Sequence, residues 1–113
     1  MTDALDPVAI VAGLGGGEAL ARRAARAFLE EAPGLVAGIR AALAAHDAAA
    51  LFRAAHTLKS AVGNFPAPAA VHAAQRLEDR GRRGDLQDAE ADRAALERAL
   101  IPLNAALATL AGD

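Results

Sequence analysis

The chain has 113 residues, 54% of them counted hydrophobic and 23% charged, with a formal net charge of −2. Alanine is the best helix former and a poor strand residue, so 34 alanines beside 27 larger apolar residues exclude an all-β domain and leave one modest core, hence a single domain over 1–113. The lack of cysteine excludes a disulfide framework, a thiolate metal site and a cysteine nucleophile, and a slightly acidic chain with three Phe and no Trp or Tyr argues against nucleic-acid binding.

Asp6-Pro7 opens a short helix over about 7–12, with Asp6 as N-cap and Pro7 at the first helical position. Val8, Ile10 and Val11 give it an apolar side, so it is expected to cap the bundle that follows. Gly13-Leu-Gly-Gly-Gly17 then interrupts the chain. A glycine-rich stretch before a helix can cradle phosphate, but no strand precedes this one and no Lys-Ser/Thr follows. Residues 1–17 are therefore read as a short helix and a flexible joint, and 18–113 as the bundle. The N-terminus lacks the basic region and apolar core of a signal peptide. Charges recur too often for a run of ~18 apolar residues to form a membrane span. A cytoplasmic protein that engages no membrane is expected.

From Glu18 to about Ala45 the pattern is helical, with Leu20, Ala24, Phe28, Ala32, Leu35, Ile39 and Leu43 at spacings of three and four. The register runs through Pro33 without a slip, which predicts a kink rather than a reversal. Asp47 is the N-cap of a third helix reaching about Gly63, with Leu51, Ala55, Leu58 and Val62 inward and Phe65 just beyond. Asn64-Phe-Pro-Ala-Pro68 is a turn. A fourth helix covers about 67–80, with Ala70, Val71, Ala74 and Leu77 inward; Gly81-Arg-Arg-Gly84 is read as a loop and Asp85 as the next cap. Leu96, Leu100, Leu103, Leu107 and Leu110 form the seam of the last helix, which Pro102 should kink. Short loops between long amphipathic helices predict an all-α, up-down antiparallel four-helix bundle with a short N-terminal capping helix.

Three histidines occur: His46, His56 and His72. His46 falls at a helix C-terminus, where a cation suits the dipole, and His72 reads as solvated. No Glu-x-x-His pair, His-Glu-x-x-His or acidic cluster marks a metal site. His56 stands apart on geometry. With Leu51, Leu58 and Val62 inward and about 100° per residue, His56 points about 140° from the core. On the same scale Lys59 lies at about 80°, Phe52 at about 100°, Gly63 at about 120° and Ser60 at about 180°. An imidazole flanked by a cation and two very small residues suits a partner that must come close to the ring.

Ala54-Ala55-His56-Thr57-Leu58-Lys59-Ser60-Ala61 resembles the His-x-Leu-Lys-Gly signature of histidine phosphotransfer (HPt) domains, the four-helix phosphocarriers of bacterial and plant phosphorelays. The likeness extends to the flanks. Phe28-Leu-Glu-Glu-Ala-Pro33 with Leu35, Ile39 and Leu43 matches the family's preceding helix, and Leu77-Glu78-Asp79 with the Gly84-Asp85 loop matches the helix and turn that follow. The resemblance implies that His56 is phosphorylated at Nε2 and that Lys59 balances the phosphoryl charge. Glu78 stands where some relatives have a Glu or Gln on the other ring nitrogen, and Gln75, one turn earlier, is a second candidate partner. Phe52, Ser60 and Gly63 would form the partner-binding face. Ser60 replaces the signature glycine but leaves room for a receiver, and Pro66 stands where relatives often have glycine, which implies altered turn geometry with the chemistry intact.

Physical chemistry agrees with those roles. A free imidazole has a pKa of about 6.5, so a good fraction is neutral and nucleophilic near pH 7. A carboxylate on Nδ1–H fixes the tautomer that leaves Nε2 free. Phosphoryl transfer needs in-line positioning and charge stabilisation, usually with Mg²⁺. No ATP site and no acidic cluster for Mg²⁺ is evident, so no cofactor is expected on this chain and the Mg²⁺ is expected from the partner. The expected partners are response-regulator receiver domains and a (hybrid) histidine kinase, with the chain a monomer and a carrier rather than an ATP-using enzyme. Three alternatives remain at this stage. They are the phosphoacceptor module of a chemotaxis-type kinase, which needs a downstream catalytic domain; a non-catalytic helical adaptor or dimerisation bundle, whose dimerisation version predicts an extended exposed Leu stripe; and a helical metal store, for which the histidines lie on different helices without carboxylate partners.

Overall fold

The computed structural model describes residues 10–11 and 17–112. Among them the alanine-rich amphipathic segments form four helices and no strand: α1 (Gly17–Ala44), α2 (Ala48–Val62), α3 (Pro68–Arg83) and α4 (Ala89–Ala111). Each helix packs against its chain neighbours, and α1 also packs against α4, while the backbones of the diagonal pairs stay further apart. Short connections at 45–47, 63–67 and 84–88 leave consecutive helices no room except to reverse, which is the arrangement of an up-down bundle. The expected capping helix over 7–12 falls mostly outside the described residues. Ile10 and Val11 alone are described there, both helical, with Ile10 fully buried against the core.

The helix ends follow from local chemistry. Asp47 caps α2, its Oδ1 accepting the Ala50 N–H at 3.0 Å. Pro68 occupies the first turn of α3, where its missing N–H costs nothing. Gly84 ends α3 in the left-handed conformation (φ 71°), which glycine adopts without a Cβ penalty. Two expectations change here. Gly81-Arg-Arg is not loop but the last turn of α3, because Gly81 is buried against α2. Asp85 does not cap α4; its side chain accepts the Gln87 N–H at 3.1 Å, and α4 starts only at Ala89, after Asp88 in the left-handed conformation. Both α1 and α4 continue through their prolines, Pro33 and Pro102.

Core composition sets the spacing. Of the twenty-five buried apolar residues among those described, eleven are alanine, so the helices approach closely over a thin core. Leu51, Ala55, Leu58 and Val62 of α2 point inward as expected, as do the α4 leucines from Leu96 to Leu110. Phe65, in the α2–α3 turn, packs edge-on against Phe28 of α1 with ring centroids 5.5 Å apart. Leu20 is a correction: it is 44% exposed. At that end of α1 the buried positions are Ala21 and Ala25, each one residue and so about 100° from the expected Leu20 and Ala24, while Phe28 and Ala32 are buried as expected. α4 is long and apolar enough, by length and composition alone, to cross a membrane; in the bundle its leucine seam is buried, and Glu90, Asp92, Arg93, Glu97 and Arg98 line its first half.

Ion pairs join the helices around the rim. Arg76 and Arg80 of α3 hold Asp92 of α4, and Arg80 also donates to the Gln87 carbonyl. Arg40 of α1 grips Glu97 of α4 through both oxygens, at 2.9 and 2.5 Å, and Arg93 adds a third bond at 2.6 Å. The hydrogen bond from Arg40, with Arg93 in support and burial opposing, holds the Glu97 carboxyl down from 4.5 to about 2. A carboxyl depressed in this way contributes stability above its ordinary value and loses it as pH falls toward the folded one. Glu97→Gln therefore lowers the thermal midpoint at pH 7 by a few degrees at most, since Arg40, its interhelical partner, is solvated. The gap to the parent protein closes between about pH 4.5 and about 2. Melts followed by circular dichroism across that range check this, and a gap undiminished at the acid end contradicts it.

Candidate functional site

The α2–α3 pair brings the sequence-derived candidates together. Phe52, His56, Lys59 and Gly63 recur along the outer side of α2, while Gln75, Glu78, Asp79 and Arg82 share one side of α3 at helical spacing. The two helices meet at Gly81, where a Cβ would stand 2.6 Å from the Phe52 nitrogen and 2.9 Å from the Ala48 carbonyl oxygen. Only glycine allows that approach. It lets Glu78, one turn earlier, reach across to α2.

His56 sits mid-helix with its side chain 55% exposed, while Glu78 is 4% exposed. Glu78 is the one buried charged residue among those described. Its Oε1 lies 3.3 Å from His56 Nδ1 and 2.8 Å from Lys59 Nζ, and its Oε2 accepts from Arg82 at 2.9 Å. Burial alone would push this carboxyl up, but the hydrogen bonds from Lys59 and His56, together with the Lys59 charge, hold it below its usual value. An ionised carboxylate accepts and cannot donate. His56 Nδ1 is therefore the N–H of the neutral ring, and Nε2 carries the free lone pair. The Phe52 ring stacks on the imidazole, with centroids 5.9 Å apart and planes 14° apart, which limits its rotation.

Lys59 does not stand free beside the ring. It reaches Glu78 and also donates to Gln75 Oε1 at 3.0 Å. Gln75 in turn donates to Asp79 Oδ1 at 2.9 Å, and Arg82 bonds Asp79 at 2.7 Å. Gln75 thus makes its bonds to Lys59 and Asp79, not to His56. The bonds from Gln75 and Arg82 keep the Asp79 carboxyl below its usual value. Lys59, Glu78, Arg82, Asp79 and Gln75 form a closed circuit in which the cations and carboxylates balance. Arg82 and Asp79 are the members that sequence reasoning missed. Their signal was present: Arg82 follows Glu78 by four residues and Asp79 by three, the spacing of helical ion pairs. Reading Gly81-Arg-Arg-Gly84 as a loop hides it.

Ser60 and Gly63 are exposed beside His56 and leave the approach to Nε2 open. His46 lies in the turn after α1 with φ 53° and His72 is exposed on α3; neither joins the site. Among the described residues no group of three or more His, Asp or Glu could hold a metal ion. A cleft of about 530 Å³ between α1 and α4 is lined by Leu29, Pro33, Val36 and Leu100 among others, and by none of the site residues. His56 therefore presents an oriented, half-exposed imidazole on the outer side of α2.

A family model described as Hpt domain matches residues 23–110, which includes all of α2 and α3 and most of α1 and α4. Comparison with curated proteins and with solved structures produces no match.

The close approach at Gly81 has a direct test. Gly81→Ala forces its Cβ into the α2 backbone and should cost about 1–3 kcal/mol in chemical denaturation. His56→Ala should change stability little, because an exposed side chain contributes little to the core. A neutral Gly81→Ala would mean that the helices can part without penalty.

Proposed function

The chain belongs to the Hpt domain family, and from that premise we propose that His56 carries a phosphoryl group between the proteins of a two-component phosphorelay. Hpt domains serve histidine phosphotransfer and interact with receiver domains and kinases. The observation that carries the assignment to His56 is the Glu78 carboxylate 3.3 Å from Nδ1 of a ring whose side chain is 55% exposed, an arrangement that leaves Nε2 the free nitrogen.

In the proposed step, His56 Nε2 attacks the phosphorus of a receiver's aspartyl phosphate. The N–P bond forms as the P–O bond to the aspartate breaks, and the carboxylate departs with the electron pair. The ring is left cationic with its proton on Nδ1, where Glu78 stabilises it. Lys59, one turn along α2, turns toward the phosphoryl oxygens. Transfer onward reverses the same bonds at the aspartate of a second receiver; a (hybrid) histidine kinase is the other candidate donor. The divalent cation of this chemistry, Mg²⁺, would be supplied by the receiver. Phe52, Ser60 and Gly63 form the docking surface around the ring, and the chain acts as a cytoplasmic monomer.

Incubation with a phosphorylated receiver and Mg²⁺ should place acid-labile, base-stable label on the protein, and His56→Gln should remove it. Label that persists in His56→Gln sinks the carrier reading. Ser60→Trp should block transfer while the far-ultraviolet spectrum stays helical. Transfer undiminished in that variant is incompatible with face-to-face docking at α2.

A further inference from the structure

Glu78 is served by two cations that differ in what else they are needed for. Lys59 lies on Oε1, the oxygen that also faces His56; Arg82 lies on Oε2, away from the ring. A phosphoryl group on Nε2 would bring roughly −1.5 to −2 of charge beside α2 at pH 7. Lys59 is the near cation, so serving that group takes it from Glu78. A carboxylate that is 4% exposed then needs another counter-ion, because an unpaired buried charge is among the costliest states a protein can hold.

Arg82 meets that need. It is fixed by three contacts: Glu78 at 2.9 Å, Asp79 at 2.7 Å, and the Phe52 ring with the guanidinium carbon 5.6 Å from the centroid. Because that ring also stacks on His56, Arg82 holds both the carboxylate beneath the imidazole and the platform beside it. Asp79 occupies the second arm of the guanidinium and keeps its fork turned toward α3. Gln75 is half-buried, so water can replace Lys59 at its Oε1 when the lysine leaves.

We propose that Arg82 is a positioning residue for phosphotransfer: it is the standing counter-ion of Glu78, which keeps the carboxylate on His56 Nδ1 while Lys59 moves between Glu78 and the phosphoryl group. This rests on the reading of His56 as phosphoacceptor and assigns Arg82 a part in it.

Arg82→Gln removes the charge at a side chain that is 55% exposed, so the helical spectrum should be retained. Nitrogen-15 spectra of the unphosphorylated protein report the His56 tautomer without any transfer partner. The parent should be mainly the Nδ1–H form, and Arg82→Gln should raise the share of the Nε2–H form. Acceptance from a phosphorylated receiver should slow roughly ten- to a hundredfold. In a Glu78→Gln background the carboxylate is gone, a neutral amide needs no counter-ion, and the same change at Arg82 should slow transfer by less than about threefold. Arg82→Lys should restore part of the rate by returning the charge without the fork. An unchanged tautomer balance in Arg82→Gln overturns the proposal, as does equal slowing with and without Glu78. If His56→Gln keeps its label, the carrier reading fails instead, and the tautomer measurement still decides whether Arg82 holds Glu78 on the ring.

Discussion

The site depends on one buried carboxylate. Glu78 projects from α3 into the groove against α2, and both of its oxygens are occupied. Burying such a charge is tolerated because Lys59 and Arg82 each pair with one of its oxygens, at 2.8 and 2.9 Å, and His56 adds a longer contact at 3.3 Å. In return the carboxylate settles which imidazole nitrogen holds the proton. In the proposed carrier role the other ring nitrogen, Nε2, is then the nucleophile. Ionisation of Glu78, orientation of His56 and the positions of both cations are parts of a single electrostatic arrangement.

That arrangement requires two helices unusually close together. Gly81 supplies the contact, with no room for even a methyl group against the α2 backbone. The alanine-rich core supplies the rest, since Ala55 of α2 and Ala73 and Ala74 of α3 are buried without holding the helices apart. Larger side chains would widen the groove and take Glu78 out of reach of His56. Small residues also act on the outer face, where Ser60 and Gly63 leave the ring unobstructed. The composition that limits the core is thus what permits the site.

Much of this was legible along the chain. The inward stripe of α2, the outward direction of His56, the Asp47 cap and the leucine seam of α4 all follow from helical periodicity, a local property. The errors are equally physical. Gly81 reads as a helix breaker because isolated glycine weakens a helix, yet here it sits inside α3, where the neighbouring backbone comes too near for any other residue. Leu20 is apolar and in register within a turn, but the partner helices face Ala21 and Ala25, so burial went to the smaller residues. Asp85 had the chemistry of a cap and used it on a turn. Gln75 was expected near the ring and serves Lys59 and Asp79 instead.

The order of the four bundle helices, most of their inward faces and the outward direction of His56 are determined by the sequence alone. Each depends on residues within a few positions of one another, whose relations a helix of fixed pitch dictates. Which carboxylate meets that histidine, how deeply it is buried, and which cations compensate it were decided only by the tertiary structure. Those relations span twenty-two residues between His56 and Glu78, and they turn on an interhelical distance that no local pattern encodes. Periodicity carries direction but not separation, and separation determines whether opposite charges and a ring nitrogen become one hydrogen-bonded site.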